Sequence, residues 1–125
     1  MKEKLTSLVE RLLILPTEVA ELQSKALLLN DTIQLLSEEI ISRESEIKFE
    51  INAATDENGK KLYSNEDSRK LAFLVDSKDD IALFHLYVSK KEANHQIDMV
   101  RISIECHSNE QRNIRSILAV FNLVP

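Results

Sequence analysis

A long run without glycine or proline is the feature that most constrains how this 125-residue chain folds. Neither residue occurs from Thr17 to Asn58, and within this run apolar residues recur at alternating spacings of three and four. That rhythm places side chains on one face of an α-helix and is typical of a coiled coil. The positions are Val19, Leu22, Ala26, Leu29, Ile33, Leu36 and Ile40. We therefore predict one long helix over residues 17–55.

The apolar face of this helix is wider than a two-helix seam requires. Leu27, Leu28, Leu35 and Ile41 flank the seam, which favours a bundle of three or four helices. Arg43 interrupts the pattern before it resumes. At 1.5 Å per residue the helix would be roughly 55–60 Å long, so we expect an elongated molecule.

Residues 1–15 have the spacing of a short amphipathic helix. Pro16 follows it and should end or kink this helix, or open the next one, because proline has no backbone N–H. The apolar stretch is much shorter than the roughly 20 residues of a membrane span. We expect neither a signal segment nor a membrane contact.

The only glycine, Gly59, indicates a turn. It follows Asn58, and the Asn-Gly pair tolerates positive φ, so residues 56–64 are predicted to form the tip of a helical hairpin. Ser64 is a candidate N-cap for the helix that follows. With one glycine and two prolines in total, a sheet-rich fold with many tight turns is disfavoured.

Residues 65–122 are predicted to form a second long helix that is apolar on two sides. One set follows a heptad pattern and contains Ile97, Val100, Ile104, Ile114 and Leu118. The other set comprises Ile81, Phe84, Val88, His95, Met99, Ile102, Cys106, Ile117 and Val120. Such a helix must bury both sides. The first meets residues 17–54 and the second meets residues 3–15 or another subunit. The alternative over 81–106 is a β-hairpin, since Val100 to Cys106 alternates apolar and polar residues.

The segment from Gly59 to Lys70 resembles the hairpin tip of small coiled-coil proteins of bacteria, their phages and mobile elements. Its sequence is Gly-Lys-Lys-Leu-Tyr-Ser-Asn-Glu-Asp-Ser-Arg-Lys, a Gly-Lys tip followed by a Tyr-Ser-Asn-Glu helix start with an arginine three residues later. The stretches Ile102 to Glu105 and Arg112 to Leu118 are similar too. The resemblance covers roughly residues 35–121. It implies two long helices joined by a tip and no established activity.

Composition and motifs indicate binding rather than catalysis. The net charge of −5 disfavours a general nucleic-acid binder, which needs clustered cations. The lone Cys106 suggests a reducing, cytoplasmic compartment. Glu92 and His95 have a di-iron ligand spacing, but no second copy of that motif is present. Cys106 and His107 are adjacent and so point apart on a helix. We expect no enzyme activity, no cofactor and no metal.

The sequence thus predicts a single all-α domain over residues 1–125: an elongated antiparallel helical hairpin with a short N-terminal helix, oligomerising into a helical bundle. The expected function is a non-enzymatic scaffold that binds copies of itself and an unknown protein partner. The alternatives are a prefoldin-like holdase chaperone and a mobile-element protein that binds a host protein or nucleic acid through a cationic tip. The tip residues are Lys60, Lys61, Tyr63 and Arg69.

Overall fold

All the regular secondary structure is helical in the residues that the computed structural model describes, 2–122. Helix α1 spans Lys2–Ala53, α2 spans Glu66–Asp79 and α3 spans Ile81–Val120. No strand occurs among these residues, and one isolated bridge joins Thr55 and Lys61. The all-α prediction is confirmed, and the β-hairpin alternative over 81–106 is excluded because α3 covers that segment.

Pro16 lies inside α1 and does not separate two helices, so the predicted short N-terminal helix is the first part of α1. The proline cannot donate to the carbonyl of Leu12, which costs about 3 kcal/mol in a helix interior. Leu12 and Leu15 are buried against α3, and burying two leucines contributes about 3–6 kcal/mol. Arg11 also donates to Glu18 across the proline at 2.7 Å. These contacts outweigh the cost of the proline.

The connection between α1 and α2 contains the predicted turn. Asp56 Oδ1 accepts hydrogen bonds from the backbone N–H groups of Asn58, at 2.9 Å, and Lys60, at 3.0 Å. Gly59 has a φ of 79°, in the left-handed region where a Cβ is disfavoured. The Asn-Gly pair therefore turns the chain within the range predicted for the tip.

The N-cap of helix α2 lies one residue later than the predicted cap, Ser64. Asn65 is the N-cap: its side chain accepts from the Ser68 N–H at 2.8 Å, while the Asn65 N–H donates to Ser68 Oγ at 3.4 Å. This reciprocal capping box uses two N–H groups that the helix itself leaves unpaired. Asn65 provides it with Ser68 three positions later, a pairing that Ser64 and Asp67 do not make.

The predicted continuous helix over 65–122 is interrupted at Asp80, which has an extended backbone with φ −80° and ψ 110°. Asp80 Oδ2 accepts the N–H of Leu83 at 2.8 Å and so caps the start of α3. The same carboxylate accepts from Arg43 Nε at 3.0 Å. The cap and the ion pair together stabilise a helix end that the apolar periodicity does not indicate.

The described residues form two compact units, one comprising residues 2–31 with 94–122 and the other residues 32–93. We call them the terminal unit and the central unit. In the terminal unit the start of α1 packs on the end of α3 through Leu12, Leu15, Ile114 and Leu118. In the central unit α1, α2 and α3 meet around a core of Ile40, Ile47, Ile51, Ala72 and Leu83. In each unit, then, α1 and α3 supply the core.

The predicted seam residues are all buried or half-buried in their own unit. The buried ones are Ile40, Ile97, Val100, Ile114 and Leu118. The half-buried ones are Val19, Leu22, Leu29, Ile33, Leu36 and Ile104. The three-four spacing therefore identifies the inward side of both long helices, because that side is the one that a helix can shield from water.

Candidate functional site

The second apolar side of α3 is exposed along its whole length. We call its members the outer set: Ile81, Phe84, Val88, His95, Met99, Ile102, Cys106, Ile117 and Val120, all exposed. Ile81 keeps 73% of its surface accessible and Val120 keeps 78%. Isolated apolar residues on a surface are ordinary, whereas these members form one row at helical spacing on a single helix.

The start of α1 does not cover the outer set. Its buried residues Leu12 and Leu15 pack on Ile114 and Leu118, which belong to the inward side of α3. Of the two coverings that the sequence allowed for the outer set, the one by residues 3–15 is therefore excluded. The outer set is left for another chain or for water.

Helices α1 and α2 also carry exposed apolar side chains. On α2 these are Leu71, Leu74 and Val75, and on α1 they are Leu13, Ile14, Leu27, Leu28, Leu35, Ile41 and Phe49. The residues that widened the apolar face of the predicted helix are thus the ones that remain accessible. Both units present apolar surface beyond their own cores.

The predicted tip residues have two different environments. Lys60 and Lys61 are exposed in the connection between α1 and α2. Tyr63 is half-buried and packs against the central core. Arg69 is half-buried on α2 and donates from Nη1 to the Tyr63 carbonyl at 3.4 Å. Two of the four residues are therefore accessible cations, and the other two fasten the connection to the central unit.

The terminal unit contains an ionic cluster that the sequence did not indicate. Arg11 donates to Glu110 at 2.7 and 3.1 Å and to Glu18 at 2.7 Å. The hydrogen bonds from Arg11 lower the pKa of both carboxylates below its usual range. Glu18 also faces His107 Nε2 at 3.0 Å, and His107 Nδ1 faces the Ser103 carbonyl at 2.7 Å. Each carboxylate is charged at neutral pH and tied to a cation.

The central unit has a smaller ionic arrangement. Arg43 binds Asp80 and, at 2.7 Å, Glu46. The hydrogen bond from Arg43, followed by that from the Leu83 N–H, lowers the pKa of Asp80. Sequence reasoning treated Arg43 only as a break in the seam. A cation at a seam position calls for an opposed carboxylate, but spacing alone does not show which one, since Asp80 is 37 residues away.

The residues that suggested chemistry are not assembled into a reactive site. Cys106 is exposed, while the two ring nitrogens of the adjacent His107 face Glu18 and Ser103. His95 is exposed on α3. Among residues 2–122 no three His, Cys, Asp or Glu side chains cluster closely enough to hold a metal ion.

Comparison of the chain with protein-family models, with curated proteins and with solved structures gave no match. Within residues 2–122, no helix combines the length and the apolar character that crossing a bilayer requires.

Proposed function

We propose that this protein is a non-enzymatic helical interaction protein that assembles with further copies of itself through the outer set of α3. The proposal rests chiefly on one observation. Helix α3 is apolar on two sides, and each unit buries one side and leaves the other accessible. A helix with two apolar sides is stable in water when both are covered.

The energetics of burial support assembly. Removing a large aliphatic or aromatic side chain from water contributes about 1.5–3 kcal/mol. Seven large apolar members of the outer set are still 44–78% exposed, so burying that remaining surface on both copies of a two-fold dimer contributes roughly 12–25 kcal/mol. Association costs about 4–15 kcal/mol in lost freedom of motion. The outer set is thus large enough to offset that cost.

The proposed assembly has a four-helix core. In it, α1 and α3 of each copy pair as an antiparallel hairpin with coiled-coil packing, and α3 of one copy lies against α3 of the other. The wide apolar face of α1 supports this arrangement, because a strict two-helix seam does not need Leu27, Leu28 and Leu35. The outer set then becomes the centre of the bundle.

Sedimentation equilibrium tests the proposal directly. At micromolar concentration we expect a mass that is a multiple of 14.3 kDa. A charge introduced at Phe84 or Ile102 should dissociate the assembly, because an unpaired buried charge costs several kcal/mol. The variants Phe84→Glu and Ile102→Glu should therefore sediment at the mass of one chain.

Matched controls introduce the same glutamate away from the outer set. Ser89→Glu in the central unit and Asn94→Glu in the terminal unit alter exposed positions of α3 and should retain the wild-type mass. Circular dichroism checks that every variant stays helical. A wild-type mass of 14.3 kDa, or outer-set variants that sediment like the controls, would contradict the proposal.

A holdase chaperone is a second candidate, favoured by Leu13 and Ile14. These adjacent residues are 68% and 51% exposed, beside Leu12 and Leu15, which are buried. Exposed aliphatic side chains on this part of α1 suit an unfolded client. Suppression of aggregation of a heat-unfolded client should be lost in Leu13→Ser/Ile14→Ser and kept in Ala20→Ser. Equal suppression by both variants would argue against this function.

A further inference from the structure

An open groove lies in the central unit between the last turns of α1 and the first turns of α2. Its volume is about 500 Å³, within the range of about 300–1,000 Å³ for small-molecule sites. The floor is apolar and consists of Ile51, Phe73 and Leu74. No residue of α3 lines the groove, so it is a surface separate from the outer set.

Local structure on α2 aligns the groove. The Asn65 capping box fixes where α2 begins, and from there positions four and three apart follow the same side of the helix. Glu66, Arg69, Lys70, Phe73 and Leu74 thus line the α2 side of the groove over about 12 Å of helix. That length equals two helical turns.

The wall charges are mostly positive, in a chain of net charge −5. Three cationic side chains line the groove, those of Lys48, Arg69 and Lys70, against one carboxylate, that of Glu66. Lys70 pairs with Glu66 at 3.3 Å, and the Lys48 ammonium lies 4.9 Å from the centre of the Phe73 ring. Because Lys70 and Lys48 already make these contacts, Arg69 is the cation with the most N–H groups for a ligand.

Arg69 is positioned to bind an anion. Its guanidinium has five N–H donors, and Nη1 makes one long hydrogen bond, at 3.4 Å, to the Tyr63 carbonyl. Arg69 itself lines the groove. The planar guanidinium matches a carboxylate or sulfate in a bidentate geometry. An anion there would lie next to the apolar floor.

We propose that the groove binds an anionic amphiphile, a carboxylate or sulfate head on an apolar body. The head lies on the Arg69 guanidinium, and the body covers Phe73, Leu74 and Ile51. Lys48 and Lys70 add attraction for the head without needing to abandon their present contacts. The apolar floor accommodates any ligand of this shape, whereas the positive charges beside it favour an anionic head over a neutral or cationic one.

Decanoate, used below its micelle-forming concentration, is the probe. In a ¹H–¹⁵N NMR titration we expect saturable shifts in residues 48–52 and 66–74. Arg69→Gln should weaken binding about tenfold, the effect of losing one charge-assisted hydrogen bond. Leu74→Gln, which removes part of the floor, should weaken it about five- to tenfold.

Matched controls lie on the same helix outside the groove. Lys78→Gln removes an exposed cation of α2, and Leu71→Gln alters a leucine that is 64% exposed, against 59% for Leu74. Both should bind decanoate within about twofold of wild type. Sedimentation of Arg69→Gln should be unchanged, which separates this test from that of the proposed assembly.

Several results would overturn the proposal. They are equal binding of decyltrimethylammonium, equal effects of Arg69→Gln and Lys78→Gln, shifts confined to α3, and no saturation up to about 10 mM decanoate. An acidic amphipathic peptide that binds more tightly than decanoate, with shifts beyond residues 48–74, would instead identify the site as one for a protein partner.

Discussion

The terminal and central units have similar apolar packing but different polar contacts. Both bury aliphatic residues of α1 against α3. In the terminal unit two helices meet, and Arg11 holds Glu18 and Glu110, whose side chains are 33% and 40% exposed. In the central unit a third helix joins the core, and Arg43 holds Asp80, which is 14% exposed. The central ion pair is the less solvated of the two.

This difference shows that an ion pair can have two structural roles. Glu110 lies in the interior of α3, so its bond to Arg11 only ties two helices side by side. Asp80 lies between α2 and α3, so its carboxylate also determines where one helix ends and the next begins. Loss of a carboxylate that caps a helix should therefore reduce the stability of the fold more than loss of a carboxylate that only bridges two helices.

Among the predicted effects, the largest loss of stability in each unit should come from truncating a fully buried leucine. Leu83 in the central core and Leu118 in the terminal core are fully buried. Replacing either with alanine should lower the free energy of unfolding by about 2–5 kcal/mol, with Leu83→Ala toward the upper end because three helices enclose its site. Urea denaturation measures this. Leu71→Ala, at an exposed position, should stay within about 0.5 kcal/mol of wild type.

Removal of a carboxylate should affect the central unit more than the terminal one. Asp80→Ala deletes both the cap of α3 and the partner of Arg43, whereas Glu110→Ala leaves Arg11 bound to Glu18. We expect a larger drop in urea midpoint for Asp80→Ala than for Glu110→Ala. Asp80→Asn keeps a capping oxygen and should fall between them. A larger loss for Glu110→Ala would refute the distinction between capping and bridging.

Acidification should weaken the terminal unit more than the central one. The pKa values of Glu18, Glu110 and Asp80 lie below their ordinary values of 4.5, 4.5 and 3.8. A lowered carboxylate pKa in the folded state stabilises it above the ordinary pKa, and the benefit disappears as pH falls through the lowered value. Hydrogen exchange below pH 4.5 should therefore rise first around Glu18 and Glu110.

The same measurement on Arg11→Gln provides the control, because this variant has already lost the cation that lowers both pKa values. The terminal unit of this variant should be less stable at neutral pH, and its hydrogen exchange should rise less as the pH falls. A wild-type profile in Arg11→Gln would mean that other groups govern the acid response.

The smallest effect concerns Tyr87 of the central unit. Its hydroxyl donates to Glu44 at 2.7 Å, and that bond, aided by partial burial, raises the Tyr87 pKa to about 12. Glu44→Gln should return the value toward the ordinary 10 without a marked change in stability. Ultraviolet titration of tyrosinate formation measures it. No change in the Glu44→Gln profile would show that the hydrogen bond is not formed in solution.

The sequence was most informative where the signal is local. The apolar spacing from Val19 to Ile40 identified the inward side of α1, and Asn58-Gly59 identified the turn. It was least informative at Pro16 and Asp80. Proline normally ends a helix, yet packing of Leu12 and Leu15 keeps α1 continuous. Asp80 ends a helix although the apolar rhythm continues through it.

The candidate site was predictable only in part. The outer set is visible as a second apolar pattern, but its exposure depends on where residues 3–15 pack, which the spacing does not decide. The groove could not be predicted, because it needs a short helix that is capped by Asn65 and lies beside Lys48 and Ile51. Of the predicted tip cations, Lys60 and Lys61 are exposed in the connection, whereas Arg69 lies half-buried on α2 and lines the groove.

By itself the sequence determined that this chain is helical, where it turns and which sides of its long helices are apolar. These properties follow from backbone geometry and side-chain spacing within a few residues, so they are written in the local pattern. The tertiary structure decided that α1 runs through Pro16, that Asp80 separates α2 from α3, and which carboxylates the arginines hold. Those outcomes depend on partners such as Arg11 and Glu110, 99 residues apart, that only packing brings together.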